Sequence, residues 1–258
     1  MTLHFYKYQG TGNDFVIIDN RTKFFDIKNT ALIKKLCDRR FGIGADGFML
    51  LENVEGYDFK MVYFNADGNE SSMCGNGGRC LVAFAYKMEV FKDTTTFLAI
   101  DGLHEASIKD GIVKLKMIDV NVVEENDSFS WLNTGSPHYI KQVQDIEKFP
   151  VFEEGKSIRY NDRFKAEGTN VNFVEQIGDN QIFVRTYERG VEDETYSCGT
   201  GVTAAALVNS RKGLVSPIEI KTLGGNLSVA FKEDGKGGFK DVYLCGPAEL
   251  VFEGDIEI

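Results

Sequence analysis

Along this chain short strand-like runs are interrupted by two segments that are apolar on nearly every face. Leu81-Val82-Ala83-Phe84-Ala85-Tyr86 and Val202-Thr203-Ala204-Ala205-Ala206-Leu207-Val208 predict helices that must be enclosed, since neither has a polar side to offer water. A third helix is predicted over residues 30–40. Thr30 is its N-cap, Ala31, Leu32, Ile33, Leu36 and Cys37 give the apolar spacing, and Arg39-Arg40 suit its C-terminal end. Residues 15–19, 48–51 and 59–64 read as strands, and most of the rest is β. Lys109-Asp110-Gly111, Gly178-Asp179-Asn180 and residues 232–238 each separate two strand-like runs and predict hairpins. Links this short imply antiparallel pairing. Gly10-Thr11-Gly12 reads as a tight turn; no helix follows it at once, which removes the dinucleotide-binding reading.

Each enclosed helix is preceded by a cysteine and glycines: Cys74-Gly75-Asn76-Gly77-Gly78 in one place, Cys198-Gly199-Thr200-Gly201 in the other. Backbone N–H groups at a helix start point at one spot and carry a partial positive charge, so such a site favours an anion. That anion is a cysteine thiolate, a substrate carboxylate, or both. An ordinary thiol titrates near ~8.5, and helix-end amides lower that value. Two matched thiols suggest two halves of one site. Upstream, Tyr63-Phe64-Asn65 and Tyr187-Glu188-Arg189 correspond loosely. The polar stretch 119–130, with Glu124, Glu125, Asn126 and Asp127, marks the expected boundary between halves. The fold expected is α/β (α+β): antiparallel strands around one apolar helix in each half.

Other side chains add less. Cys37, Cys80 and Cys245 read as small packed hydrophobes. His138 is one of three histidines, and His4 and His104 lie in peripheral settings. Glu188-Arg189-Gly190, shortly before Cys198, is a candidate for holding a charged substrate, and Asn13 is a polar side chain on a glycine-shaped loop.

Composition narrows the function classes. The chain has 258 residues, 43% apolar and 26% charged, as in ordinary globular proteins. Its formal charge is −10 and no basic block opposes it, so nucleic acid is not an expected partner. No apolar run approaches ~18 residues and the N-terminus lacks the pattern of a signal peptide, so no membrane association is expected. Five scattered cysteines argue against a disulfide framework and for reduced thiols in the cytoplasm. No spacing resembles paired zinc ligands, so no metal is expected.

Gly10-Thr11-Gly12-Asn13-Asp14-Phe15, Gly42-Ile43-Gly44-Ala45-Asp46, Asn65-Ala66-Asp67-Gly68, Cys74-Gly75-Asn76-Gly77, Pro137-His138, Glu188-Arg189-Gly190 and Cys198-Gly199-Thr200-Gly201 together resemble the diaminopimelate epimerase family, in order, over nearly the whole chain. The resemblance implies two pseudo-symmetric halves, each a curled, mainly antiparallel sheet around a central helix, with the active site between them. It implies that the C-terminal strand returns to the first half, giving residues 1–118 plus 247–258 and residues 119–246. It implies interconversion of LL- and meso-diaminopimelate on the route to lysine and peptidoglycan, with no cofactor. Cys74 and Cys198 match the two acid–base cysteines; His138 and Glu188 match polar neighbours that tune them. Asn13, Asn65, Asn170, Glu188 and Arg189 match substrate-holding positions, and Gly75-Asn76 and Gly199-Thr200 match the amide pairs for the carboxylate. The chain departs from the family in three places. Many members have Gln at Gly47 and Asn at Ser136, and Val191-Glu192-Asp193-Glu194-Thr195 is one residue longer than usual. The alternatives are a proline- or hydroxyproline-type racemase and a non-catalytic amino-acid-binding protein of the same architecture. The sequence leaves the oligomeric state open, a homodimer included.

Overall fold

The chain begins with a hairpin of β1 (Thr2–Gly10) and β2 (Asn13–Asp19), closed by Thr11 and Gly12 at φ 51° and 84°. Two successive left-handed residues match the twist of the flanking strands, which is why glycine occupies the second place. The computed structural model describes residues 1–258 and separates into two compact units: Met1–Leu115 with Pro247–Ile258, and Lys116–Gly246. The chain leaves the first unit after Leu115, three residues earlier than the polar stretch suggests.

The first unit continues through α1 (Thr30–Cys37), β3 (Gly47–Glu52), β4 (Phe59–Asn65), α2 (Gly75–Lys87), β5 (Thr94–Ala99), β6 (Gly102–Lys109) and β7 (Ile112–Lys116). Antiparallel pairs β1–β2, β3–β4, β5–β6 and β6–β7 are joined by parallel pairs β2–β3 and β4–β5. Short links make the antiparallel pairs; α1 and α2 are the crossovers that parallel pairing requires. The antiparallel expectation therefore holds for the hairpins only. Strand β3 is buried throughout because both faces are covered. Phe48 and Leu50 pack with Ile33, Leu36 and Cys37 of α1, while Phe15 and Met49 lie against Gly77 in α2.

The second unit runs through β8 (Val123–Glu125), β9 (Ser130–Asn133), β10 (Pro137–Gln142), α3 (Val151–Arg159), β11 (Asn170–Gly178), β12 (Gln181–Glu188), β13 (Asp193–Thr195), α4 (Gly199–Ser210), β14 (Ile218–Thr222), β15 (Gly225–Glu233) and β16 (Phe239–Pro247). β17 (Glu249–Glu257) then pairs antiparallel with β1, Thr2 opposite Glu257, inside the first unit. The pairing types repeat: β9–β10 antiparallel, β10–β11 parallel, β11–β12 antiparallel, β12–β14 parallel, β14–β15 and β15–β16 antiparallel. So β10, β11 and β12 stand where β2, β3 and β4 stand, and α3 and α4 where α1 and α2 stand.

The inner helices are enclosed as their composition demands. Every residue from Gly75 to Ala85 in α2 is buried, and α4 is buried except at Thr200. α2 touches β1, β2, β3, β6 and β17, and α4 touches β9, β10, β11, β12, β14 and β15, so each sheet curls around its helix. Each fully buried Leu, Val or Phe there contributes about 1.5–3 kcal/mol of transfer free energy.

Four local expectations need correction. Asn29, not Thr30, caps α1, its side chain accepting from Leu32 N at 3.1 Å. That helix stops at Cys37, because Asp38 turns extended and its carboxylate takes the N–H groups of Arg40 and Phe41 at 2.7 Å each. α3 has no counterpart in the sequence reading. It has Pro150 at its N-cap and buries only Val151 and Gly155, so its apolar signal is thin. Gly155 is there because a Cβ would come within 2.4 Å of Tyr187 Cβ. The register also revises the upstream correspondence. Gly47 opposes Asn65, and Val171 opposes Tyr187, which sets Asn65 against Glu188 and Phe64 against Tyr187. A one-residue offset matters in a strand, since it exchanges the two faces.

Candidate active site

Cys74 and Cys198 occupy the same structural position in their units, the N-cap of the enclosed helix. Both are extended there, at φ −96°, ψ 134° and φ −114°, ψ 111°, and neither side chain caps its helix. The first helical bonds run from Gly78 N to Cys74 O at 2.7 Å and from Val202 N to Cys198 O at 2.9 Å. The amides of Gly75-Asn76-Gly77 and Gly199-Thr200-Gly201 precede those bonds and point out of the helix start, beside each thiol. That is the geometry that binds a carboxylate or steadies a thiolate. Cys198 is buried, with 7% of its surface exposed, and Cys74 is half-buried.

In the first unit the neighbour of Cys74 is Asn13. Its Nδ2 donates to Asp46 Oδ2 at 2.7 Å, which turns its Oδ1 toward Cys74 Sγ at 3.7 Å and Asn76 Nδ2 at 3.5 Å. Behind Asn13 stands a charged cluster. Asp14 pairs with Lys7 and Arg39 at 2.7 Å each, and Arg39 also holds Asp46 at 2.8 Å. Burial alone would raise the Asp14 pKa, but hydrogen bonds from Arg39 and Lys7 outweigh it and hold the carboxyl well below the usual range. Lys7 itself is buried, donating also to the Gly44 carbonyl. The glycine-rich loop 42–46 thus serves to present Asp46 to Asn13.

In the second unit the neighbour of Cys198 is the Thr200 hydroxyl, 3.5 Å from Sγ. Thr200 Oγ1 lies 2.9 Å from His138 Nε2 and 3.2 Å from Ser136 Oγ, while Ser136 Oγ is 3.0 Å from the same Nε2. On the other side of the ring, Asn172 Nδ2 approaches His138 Nδ1 at 3.1 Å and donates to Tyr139 O at 3.1 Å. Thr186 Oγ1 donates to Asn172 Oδ1 at 2.9 Å, which fixes the amide orientation. His138 is wholly buried; burial, and then the charge of Arg189, push its pKa down to about 3, so the ring is neutral at physiological pH.

The other sequence candidates fall at the ends of the same strands. Asn65 closes β4 as an exposed residue, paired with Gly47 and bonded into a turn by Gly68 N to Asn65 O at 2.9 Å. Gly47 has no room for a larger residue, because a Cβ would meet the Tyr63 ring at 2.5 Å. Asn170 opens β11, donating to Ser136 Oγ and Pro137 O at 3.1 Å each and accepting Arg189 N at 2.9 Å. Glu188 ends β12 and accepts from Thr195 Oγ1 at 2.9 Å. Arg189 is exposed, one guanidinium N–H on Glu167 O at 2.9 Å. The lengthened segment is a hairpin: Glu192, at φ 58°, donates its N–H to Glu188 O at 2.8 Å and takes Gly190 N and Tyr187 Oη on its carboxylate.

Four polar residues at the site escape the sequence reading: Asp46, Asn172, Thr186 and the side chain of Thr200. Asn172 and Thr186 point inward from adjacent strands, and period-two alternation with Asn170 carries the signal for Asn172. Of the remaining cysteines, Cys37 and Cys80 are packed residues and Cys245 is only half-buried. Burial pushes Cys37 up to about 12 and raises Cys80 as well. No group of three or more His, Cys, Asp and Glu is placed to hold a metal ion, and no helix is long and apolar enough to cross a membrane.

Known proteins match this geometry at two levels. Among solved structures, a PhzF-family phenazine biosynthesis protein of Bacillus anthracis superposes over 100% of both chains with TM-score 0.80 at 13% identity. A hydroxyproline epimerase of Agrobacterium vitis covers 99% of this chain and 92% of its own with TM-score 0.69 at 13% identity. Those two establish shared architecture only. In sequence, the diaminopimelate epimerase of Flavobacterium psychrophilum is 55% identical over 254 residues, spanning 97% of this chain and 99% of its own. The diaminopimelate epimerase family model matches residues 5–123 and 130–251, taking in both N-cap cysteines and the candidate site residues Asn13, Asn65, His138, Asn170, Glu188 and Arg189. A likeness of that depth and extent means that the chain belongs to the diaminopimelate epimerase family.

Proposed function

We propose that this chain interconverts LL- and meso-2,6-diaminopimelate, a step toward lysine and peptidoglycan, by moving one α-proton between two thiols. Family membership supports the substrate. The observation that carries the chemistry is the cysteine at the N-cap of the buried helix in each unit. Inverting a stereocentre by proton transfer needs a base on one face of the α-carbon and an acid on the other. Cys74 and Cys198 take those two roles and exchange them in the reverse direction.

The α-hydrogen of an amino acid is a very weak acid, so the charge that grows on the carboxylate must be met as the proton leaves. Amides of Gly75-Asn76 and Gly199-Thr200, fixed before substrate arrives, meet it without reorganisation. Asn13, Asn65, Asn170, Glu188 and Arg189 are the candidates for holding the substrate's amino and carboxylate groups. Asn13, Asn65, Asn170 and Glu188 stand at strand ends within their own units and Arg189 follows Glu188, which supports this. His138 and Glu188 act on the thiols as polar neighbours. The reaction is expected in the cytoplasm, with diaminopimelate as the small-molecule partner.

The test is α-proton exchange in D2O with purified protein, LL-diaminopimelate and no added cofactor. Meso product carrying α-deuterium is expected. Absence of exchange, or equal turnover of proline in a parallel assay, would overturn the reading.

A further inference from the structure

We propose that the resting protein keeps its proton on Cys74 and its negative charge on Cys198, because Asn13 offers the first thiol an acceptor and Thr200 offers the second a donor. This rests on the two-thiol reading above and adds to it which thiol starts as acid and which as base.

The acceptor side follows from one amide. Asn13 Nδ2 faces Asp46 Oδ2 at 2.7 Å, and a carboxylate ion-paired to Arg39 only accepts. Oδ1 must therefore be the atom toward Cys74, 3.7 Å from Sγ. A carbonyl oxygen accepts the S–H of a thiol and repels a thiolate. The ion-paired groups behind it balance, Lys7 and Arg39 against Asp14 and Asp46 in one network, while the buried Arg79 of α2 adds a cation that donates to Thr11 Oγ1 at 3.1 Å. Cys80, on the same helix, is a thiol whose pKa burial raises, so it adds no charge at neutral pH.

The donor side follows from a chain of assignments. Asn172 Nδ2 donates to the Tyr139 carbonyl, and its Oδ1 takes the Thr186 hydroxyl. The second Nδ2 hydrogen therefore points at His138 Nδ1, which must accept. A neutral ring accepting at Nδ1 carries its hydrogen on Nε2. Nε2–H donates to the Thr200 and Ser136 oxygens at 2.9 and 3.0 Å and cannot accept from either. Ser136 Oγ also receives Asn170 Nδ2, whose orientation is fixed by Arg189 N on its Oδ1 and by Pro137 O. Its own hydrogen is left for Thr200 Oγ1, 3.2 Å away. Thr200, supplied with hydrogens from both sides, then directs its O–H at Cys198 Sγ. Such a donor stabilises a thiolate. The charged groups at this end are Glu188, engaged by Thr195, and Arg189, bonded through its backbone to Asn170. Thr200, His138 and Asn172 are thus positioning residues for Cys198, and Asn13 is one for Cys74.

The experiment is alkylation of the full-length, substrate-free protein with iodoacetamide across pH, with Cys74 and Cys198 followed separately by peptide mass spectrometry. Each rate is normalised to its own plateau at high pH. Near neutral pH the normalised rate at Cys198 should exceed that at Cys74 by at least about tenfold, equivalent to one pKa unit. Coincident profiles, or Cys74 titrating first, would overturn the proposal. Thr200→Val should move the Cys198 midpoint upward, and Thr200→Ser should restore it; an unmoved Thr200→Val midpoint would also overturn it. The wild-type comparison stands even if the valine variant does not fold. These profiles need no turnover, so failure here and failure of α-proton exchange are separate results.

Discussion

The two units share one plan and differ along a single row of strand ends. Phe15 opposes Gly47, which opposes Asn65; the matching row in the second unit is His138, Asn170 and Glu188. Two residues before Phe15 lies Asn13, and two before His138 lies Ser136. The first row has Phe15 and Gly47 where the second has His138 and Asn170, and the first unit draws further polarity from loop 42–46. Packing explains the likeness, since an apolar helix needs the same curled sheet wherever it occurs. Nothing in packing requires Phe15 in one place and a wholly buried histidine in the other. That difference is the one the starting roles proposed for the two thiols call for.

The comparison breaks most sharply if either cysteine proves dispensable. Cys74→Ala and Cys198→Ala should each reduce LL-to-meso conversion by roughly 10²–10⁴-fold, the usual contribution of one acid–base group. Normal conversion in one variant would remove that cysteine from the mechanism. Conversion followed by NMR, with folding checked by circular dichroism, reads this out.

The next effect separates two glycines at matching places. In Gly201→Ala the new Cβ would lie 2.3 Å from Asn172 Oδ1, within the His138 network, and steric overpacking there should cost about 1–3 kcal/mol. In Gly77→Ala the Cβ would meet Met49 and Phe15 at 3.4 Å, ordinary contact, and a helical alanine gains about 0.5–1 kcal/mol over glycine. Urea midpoints should move in opposite directions. Equal shifts would mean that the polar network imposes no tighter fit than the apolar one.

How far these differences are legible in the sequence depends on the kind of signal. The enclosed helices and hairpins announce themselves because burial and turn chemistry act within a few residues, as at residues 81–86 and at Asp110-Gly111, both at positive φ. Cys74 and Cys198 stand out because the glycines that follow them repeat. Asn172 does not, since its meaning depends on a ring from β10 and a hydroxyl from β12, brought together only by strand register. α3 is missed because a helix held on one side by Gly155 against Tyr187 leaves little apolar periodicity.

A smaller effect tests the buried histidine by pH. His138 titrates near 3 in the folded protein because burial, then Arg189, disfavours its charge, against about 6.5 unfolded. Above the unfolded value neither state binds this proton and stability is unaffected. As pH falls below it, the unfolded chain takes a proton that the folded one refuses, so stability declines by at most about 1.4 kcal/mol per pH unit. In the first unit the lowered Asp14 carboxyl contributes stability lost only below the ordinary carboxylate range. Between about pH 6.5 and 5 the decline should therefore come from the second unit. Urea unfolding should show a shallower decline in His138→Gln than in wild type; parallel slopes would remove His138 as its source.

The smallest effect concerns what the two cysteines forgo. Helix α1 has a side-chain cap from Asn29, whereas α2 and α4 have cysteines at N-caps with no side-chain cap bond. Both cysteines hold the extended backbone that a capping serine uses, and a hydroxyl there can accept from an amide two or three residues on. Cys74→Ser and Cys198→Ser should each raise the unfolding free energy by about 0.5–1 kcal/mol while lowering turnover. The gain should be smaller at Cys198, where a serine hydroxyl would also be drawn to Thr200 Oγ1, the atom now 3.5 Å from the sulfur. Thermal melts of both variants at neutral pH check this. Two serine variants less stable than wild type would mean that the sulfurs serve the fold as well as the chemistry, and that the N-cap position was not ceded to catalysis.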